Sequence, residues 1–181
     1  MILVGLGANL PHPNFGTPEQ TLRAALTEMT IAGLEVKSVS RFFASPPYPA
    51  ELAGQPWYVN AVAEIGSTRE PEDILATLHE IEWRFGRVRD KRWAPRFLDL
   101  DLLSYHDRVL NGQGHGQPVL PHPRMAERAF VLMPLVDIAP GWVHPVSGAS
   151  AETLLAGCEA GGIRPASENQ EPGVSDIALG G

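Results

Sequence analysis

Two amphipathic helical segments, each lying between strand-like segments, constrain the fold of this chain most strongly. In the first, TPEQTLRAALTEMTIAG, Thr17 and Gln20 form a capping box, Pro18 takes the first helical position, and apolar residues recur at helical spacing. The second spans residues 71–85 with the same spacing and ends before Gly86. The apolar segments around them alternate with a period of two, which is typical of strands.

The order strand, helix, strand, strand, helix, strand predicts an α+β fold of the ferredoxin-like sandwich type. In this fold a mainly antiparallel sheet carries helices on one face, and we expect the other face to be available. A length of 181 residues with 44% hydrophobic content suits one domain, which we assign to residues 1–160. Residues 161–181 lack periodicity and are rich in Gly, Pro, Ser and acidic residues. They are predicted to form an irregular tail.

Composition and charge exclude several classes of protein. A single cysteine, Cys158, rules out an internal disulfide framework and fits a reducing cytoplasm. The net charge is −7, yet six of the fourteen Lys and Arg residues lie between positions 84 and 96. Such a concentration favours a small polyanion, such as a nucleoside triphosphate, over general nucleic-acid binding, although a solvated charged loop would look the same. The apolar start MILVGLGANL reaches the turn-like NLPHPN too early to span a membrane, so we expect a cytoplasmic protein.

The segment RWAPRFLDLDLLSY, residues 92–105, places two carboxylates inside a buried strand pattern. Alternation puts Asp99 and Asp101 on one face of the strand and the neighbouring leucines on the core face. The two positions are about 6.6 Å apart along a strand, so their carboxylates could hold one cation or bracket two. Paired carboxylates favour Mg²⁺ when phosphates complete its coordination. The alternative is that they only pair with Arg92 and Arg96 on a solvated face.

The same segment resembles the signature of the 6-hydroxymethyl-7,8-dihydropterin pyrophosphokinases. The segments VGLGANL, SPPY, QPWYVNAVA, IEWRFGRVR and LPHPRMAERAFVLMPL resemble further family segments in the same order, over roughly residues 1–157. The resemblance implies transfer of pyrophosphate from ATP to the hydroxymethyl group of 6-hydroxymethyl-7,8-dihydropterin. The products would be AMP and the dihydropterin diphosphate, in a step of folate biosynthesis.

The resemblance also implies which residues handle the nucleotide. Asp99 and Asp101 would hold two Mg²⁺ ions that bridge the ATP phosphates, and these aspartates together with Arg87 and Arg96 would be catalytic. The residues expected to contact ATP are His79, Glu82, Arg87, Arg89, Arg96, His122 and Arg128.

The resemblance further implies that the pterin lies in an aromatic slot between Tyr58 and Phe130, and flat heteroaromatic rings do stack on such side chains. Asn60 shares a strand face with Tyr58, so its amide could present a donor and an acceptor to the ring edge. The full set of residues expected to contact the pterin is Ser45, Pro46, Tyr48, Tyr58, Asn60, Trp93 and Phe130.

Two other functions fit part of the sequence. A two-metal nucleotidyltransferase would also need a carboxylate pair near arginines, but it would not need the aromatic slot. An RNA-binding sheet domain would use exposed aromatics, but it would carry a basic sheet face instead of two aspartates. We therefore predict an enzyme that is a monomer and has no nucleic-acid or membrane partner.

Overall fold

A mainly antiparallel sheet with four helices makes up the part of the chain that the computed structural model describes, namely residues 1–47, 54–86, 97–114, 116–166 and 173–174. The helices are α1 (Pro18–Ile31), α2 (Pro71–Arg84), α3 (Ala129–Ile138) and α4 (Ala151–Ala156). The strands are β1 (Ile2–Ala8), β2 (Glu35–Val39), β3 (Phe43–Ser45), β4 (Tyr58–Gly66), β5 (Asp99–Tyr105), β6 (Leu110–Asn111), β7 (Val119–Leu120), β8 (Arg164–Pro165) and β9 (Gly173–Val174). None of the helices among these residues is long and apolar enough to cross a membrane.

The main sheet has the strand order β5-β1-β4-β2-β9, and β3 pairs with β4 and β8 beside this path. Every pairing is antiparallel, which confirms the prediction of a mainly antiparallel sheet with helices. In register, Gly7 of β1 lies opposite Asn60 of β4 on one side and Asp99 of β5 on the other. This row across three strands brings together residues that are distant in sequence.

Helices α1 and α2 cover one face of the sheet. The predicted capping box begins α1: the Thr17 side chain accepts from the Gln20 backbone N–H, and Gln20 Oε1 accepts from the Thr17 N–H at 2.8 Å. The helical spacing of the apolar residues is also confirmed, because those residues form the core against the leucine face of β5. This core includes Leu22, Ala25, Leu26, Met29, Ile74, Leu78, Ile81, Leu98, Leu100 and Leu102.

The opposite face of the sheet, which was predicted to be available, is partly covered, so the prediction holds for only part of this face. Leu3, Val62 and Leu103 on this face pack against Leu132 and Leu135 of α3, with α4 beside them. The segment AFVLMPLVDI is too apolar to remain in water, so burial against the sheet is favourable. The part of the face beyond α3 remains open and forms the floor of the site described below.

Two further segments differ from prediction. The strand expected to continue through residue 43 is divided into β2 and β3, because Ser40 leaves the β2 ladder: its side-chain oxygen and its N–H both bond to the backbone of Val62. The tail expected to be irregular contributes β8 and β9, which pair with β3 and β2. Backbone pairing of two residues needs no side-chain alternation, so periodicity could not show it.

Candidate active site

A cavity of about 280 Å³ opens on the uncovered part of the sheet, beside α3. Its lining comes from β1, β3, β4 and β5 and from the segment that leads into α3. Nine residues predicted from the sequence meet around it: Ser45, Pro46, Tyr58, Asn60, Asp99, Asp101, His122, Arg128 and Phe130.

Two glycines of strand β1 form part of the bottom of the cavity, which we call the glycine floor. Gly5 and Gly7 both line the cavity, opposite Asp101 and Asp99 respectively. A Cβ at Gly7 would lie 3.7 Å from Asn60 Oδ1 and 3.9 Å from the Asp99 Cβ, so a larger side chain would fill the space between them. Glycine in the middle of a strand packs poorly and often marks a place where a ligand approaches the backbone closely.

Asp99 and Asp101 point to the cavity face of β5, while Leu100 between them is buried in the core. This confirms the predicted alternation. Arg124 and Arg128 line the same cavity, so two carboxylates and two guanidinium groups share one partly enclosed space. The guanidinium groups of these two arginines could each bind two phosphate oxygens of a ligand in the cavity.

The donor set of this cavity fits Mg²⁺ bound together with a phosphate ligand. Among the described residues, no group of three or more His, Cys, Asp or Glu side chains could enclose a metal ion. Mg²⁺ does not require such a cage, since it is commonly bound through one or two carboxylates plus substrate phosphates and water. Asp99 and Asp101 are therefore the residues that would hold it.

Glu82 of α2 lies against strand β5, which carries Asp99 and Asp101. Its side chain, which was expected to contact ATP, is 1% exposed and lies in the core. The carboxylate Oε1 accepts a hydrogen bond of 2.7 Å from the Leu100 N–H, between the two aspartates. Glu82 thus supports the backbone of β5 from the core side and does not line the cavity.

His122 enters the cavity from the segment that follows β7. Its backbone N–H donates to Leu103 O at 2.8 Å, and its Nδ1 accepts from the Arg124 N–H at 3.3 Å. Because Nδ1 is an acceptor, the neutral ring carries its proton on Nε2. Burial lowers the pKa of His122 most, and the neighbouring Arg128 and Arg124 lower it further against the opposing effect of Asp101 and Asp99.

We expect the ligand-free protein to hold His122 neutral at pH 7, with a pKa below the ordinary value of 6.5. The pKa of His122 is thus lower in the folded state than in the unfolded state. Its contribution to the free energy of unfolding is complete at a pH above the unfolded-state pKa and is lost as the pH falls through the folded-state pKa. Titration of the ring resonances by NMR, assigned with a His122→Gln variant, measures this pKa. A value at or above 6.5 would contradict the burial of the ring.

The predicted pterin slot is assembled on β4, β3 and the start of α3. Tyr58 and Phe130 line the cavity, and the Arg128 guanidinium lies 5.5 Å from the centre of the Phe130 ring. Asn60 is 6% exposed and donates from Nδ2 to Ser45 Oγ at 2.9 Å and to the Phe43 carbonyl at 3.4 Å. Its amide hydrogens are thereby used within the protein, and Oδ1 is left as the acceptor beside the glycine floor. The expectation that Asn60 offers both a donor and an acceptor is corrected to an acceptor alone.

Some predicted residues do not meet in the cavity. His79, on α2, is absent from the described lining, as is Glu82. Five others lie outside the described residues: Tyr48, Arg87, Arg89, Trp93 and Arg96.

Seven lining residues were not predicted from the sequence, and three of them bear on the site: Gly5, Gly7 and Arg124. The two glycines had a readable signal, because they alternate within an otherwise buried apolar strand. Arg124 had none, since it is a single arginine in a Pro-rich connection and only the fold brings it to the carboxylates.

Comparison with known proteins identifies the family of this chain. Residues 3–140 match the family model described as 7,8-dihydro-6-hydroxymethylpterin-pyrophosphokinase. The chain belongs to this family. It is therefore an enzyme, an ATP-dependent pyrophosphokinase of folate biosynthesis, which confirms the resemblance and the function predicted from the sequence.

Two members of the family are similar in sequence to this chain over most of their length. A 2-amino-4-hydroxy-6-hydroxymethyldihydropteridine pyrophosphokinase of Synechocystis is 37% identical over 174 residues, covering 96% of this chain and 84% of the relative. One from Pseudomonas aeruginosa is 38% identical over 164 residues, covering 90% of this chain and 94% of the relative.

Similarity to solved structures supports the fold. The crystal structure of wild-type Plasmodium falciparum HPPK-DHPS with pteroate matches 86% of this chain with a TM-score of 0.64, at 11% sequence identity. This chain spans 42% of the length of that solved chain. At such low identity the match extends to the fold alone.

Proposed function

We propose that the cavity holds both substrates, with the pterin ring between Tyr58 and Phe130 and the ATP phosphates over Asp99 and Asp101. The observation that carries this proposal is the row Asn60, Gly7, Asp99 across three strands. In this row Gly7, which has no side chain, lies between Asn60, whose amide oxygen would accept from the edge of the pterin ring, and Asp99, whose carboxylate would bind the metal ion. The hydroxymethyl group of a pterin in the slot would then lie next to the phosphates.

In the proposed reaction, the hydroxymethyl oxygen attacks the β-phosphorus of ATP, and the bond from that phosphorus to the α-phosphate oxygen breaks. The pterin oxygen loses its proton, AMP leaves, and the pterin carries the β- and γ-phosphates. Phosphoryl transfer of this kind depends mainly on positioning and on electrostatic stabilisation. The described residues suited to that task are the cationic Arg124 and Arg128 and the Nε2–H of His122, which lie around the carboxylate pair.

Two Mg²⁺ ions are part of the proposal, held by Asp99 and Asp101. When bound, Mg²⁺ offsets phosphate charge and orients the triphosphate for in-line attack. In the metal-free site the two carboxylates would repel a bare triphosphate, so nucleotide binding would require the ion. Arg87 and Arg96 remain proposed catalytic residues and Arg89 and His79 proposed nucleotide contacts, on the resemblance alone.

The finer fold assignment and the state of the protein also belong to the proposal. The order β5-β1-β4-β2, with a helix after β1 and after β4, supports a ferredoxin-like sandwich. A monomer in the cytoplasm is proposed as well, and light scattering across a concentration series would test the monomer.

A titration of the protein with a non-hydrolysable ATP analogue, Mg²⁺ and 6-hydroxymethyl-7,8-dihydropterin tests this function. We expect tight pterin binding in the presence of the analogue and Mg²⁺, and no binding of the analogue when EDTA removes the ion. Analogue binding without any pterin binding would favour a nucleotidyltransferase. Binding of single-stranded RNA in place of both ligands would favour the RNA-binding alternative.

The aromatic slot gives a second prediction. Tyr58→Ala or Phe130→Ala should weaken pterin binding by about 1–3 kcal/mol, because each variant loses apolar burial and ring stacking. Binding of the ATP analogue should stay nearly unchanged in both. The control is Phe15→Ala, which removes a half-exposed ring that does not line the cavity. Equal losses for both ligands in the slot variants, measured by calorimetry, would indicate a disturbed core instead of a pterin contact.

A further inference from the structure

The segment that follows α4 returns to the edge of the pterin slot. Arg164 and Pro165 of β8 pair with Ala44 and Phe43 of β3, and the Ala166 N–H donates to Phe42 O at 2.7 Å. These residues lie outside the family match at 3–140. We call residues 161–166 the C-terminal strap.

The strand that the strap covers is the one that orients Asn60. Strand β3 has three residues, and its other edge pairs with β4, where Ser45 lies opposite Tyr58. Ser45 Oγ accepts the hydrogen bond from Asn60 Nδ2, and Phe43 O accepts a second one. Without the strap, this short strand would be an unprotected edge with unpaired backbone groups. Bonding on both sides fixes the two acceptors that hold the Asn60 amide.

The strap also contacts the mouth of the slot through side chains. The Arg164 guanidinium lies 4.8 Å from the centre of the Trp57 ring, next to Tyr58 in sequence. Gly162 has a φ of 80°, and a Cβ there would lie 3.7 Å from Trp57 and 3.8 Å from Pro46. A second, smaller cavity lies between the strap and the slot and shares Ser45, Pro46, Arg128 and Phe130 with the main one. We call Ser45, Pro46 and Phe130, which lie between the two cavities, the pterin-binding wall. The strap lies on the side of this wall that faces away from the slot.

We propose that the C-terminal strap positions the pterin-binding wall, with Gly162 and Ala166 as its positioning residues for the pterin substrate. The inference rests on the proposed function, since it assumes that the pterin occupies the slot between Tyr58 and Phe130. Within the described part of the sheet, β1 and β4 lie between β5, which carries the carboxylates, and β3, which pairs with the strap. Loss of the strap contacts should thus affect the pterin and spare the nucleotide.

Two variants of the full-length chain test the strap from different sides. Ala166→Pro removes the N–H that bonds to Phe42, and Gly162→Ala places a side chain at a backbone conformation that disfavours it, against Trp57 and Pro46. The matched control is Gly161→Ala, because a Cβ at that neighbouring glycine would meet nothing within 4 Å. Thermal melting establishes that each variant is folded.

We expect both variants to raise the Kd and KM for 6-hydroxymethyl-7,8-dihydropterin by about threefold to tenfold, the size of a lost hydrogen bond. The turnover number at saturating pterin and the Kd of the ATP analogue should stay within twofold, and Gly161→Ala should match wild type. Unchanged pterin binding in either folded variant, or equal losses for ATP and pterin, would overturn the proposal. Failure of the wild-type protein to bind pterin would instead reject the proposed function, and the strap proposal with it.

Discussion

Asp99→Asn and Asp101→Asn are each expected to lower turnover by roughly a hundredfold or more while the protein stays folded. The substitution keeps the size of the side chain and removes one negative charge. If the carboxylates hold Mg²⁺ against the triphosphate, the transition state loses charge stabilisation worth several kcal/mol. If they only paired with exposed arginines, the loss would be about 0–1 kcal/mol and catalysis would survive.

The matched control is Asp107→Asn, which changes an exposed aspartate two residues beyond the end of β5. Turnover of this variant should equal that of wild type. AMP formation is measured across a Mg²⁺ series, together with thermal melts of all four proteins. Near-normal turnover of both Asp99→Asn and Asp101→Asn at ordinary Mg²⁺ concentrations would reject the metal-binding assignment.

Glu82→Ala is expected to destabilise the protein by about 1–3 kcal/mol, because it leaves the buried Leu100 N–H without its acceptor. For a chain of this length, each kcal/mol lowers Tm by about 2–4 °C. We also expect reduced turnover in the folded variant, because Leu100 lies between the two proposed metal ligands and its N–H fixes their strand against α2.

The same helix supplies a control. Glu80 has a 60% exposed side chain that pairs with Arg84, so Glu80→Ala removes only an exposed ion pair and should leave the free energy of unfolding nearly unchanged. Chemical denaturation gives the free energies of unfolding, and a coupled assay gives turnover. If Glu82→Ala is as stable and as active as Glu80→Ala, the buried carboxylate does not support the strand.

Local patterns predicted the elements that depend on nearby residues. The start of α1 could be read from Thr17 and Gln20, because a capping box is closed within four residues. The cavity-facing direction of Asp99 and Asp101 followed from strand alternation alone. The meeting of Tyr58, Asn60 and Phe130 needed the resemblance to a family, since spacing gives no distance between separate elements.

Interactions between distant residues were the ones that patterns could not reveal. The burial of Glu82 could not be read from its neighbours in sequence, because the Leu100 N–H that it binds lies eighteen residues away. Arg124 lines the cavity because of the path that the chain takes before α3, and Ala166 reaches Phe42 because of the path that it takes after α4. Gly7 could have been recognised from the sequence. Glycine destabilises the interior of a strand, so its presence there often marks a place where a ligand or another backbone comes close.

The most direct test of the proposed reaction is identification of the products formed from ATP and 6-hydroxymethyl-7,8-dihydropterin with Mg²⁺, by ³¹P NMR and mass spectrometry. We expect AMP and the pterin diphosphate in equal amounts, and neither product when EDTA removes Mg²⁺. Formation of ADP with a pterin monophosphate, or of AMP with free pyrophosphate and unchanged pterin, would contradict transfer of an intact pyrophosphoryl group.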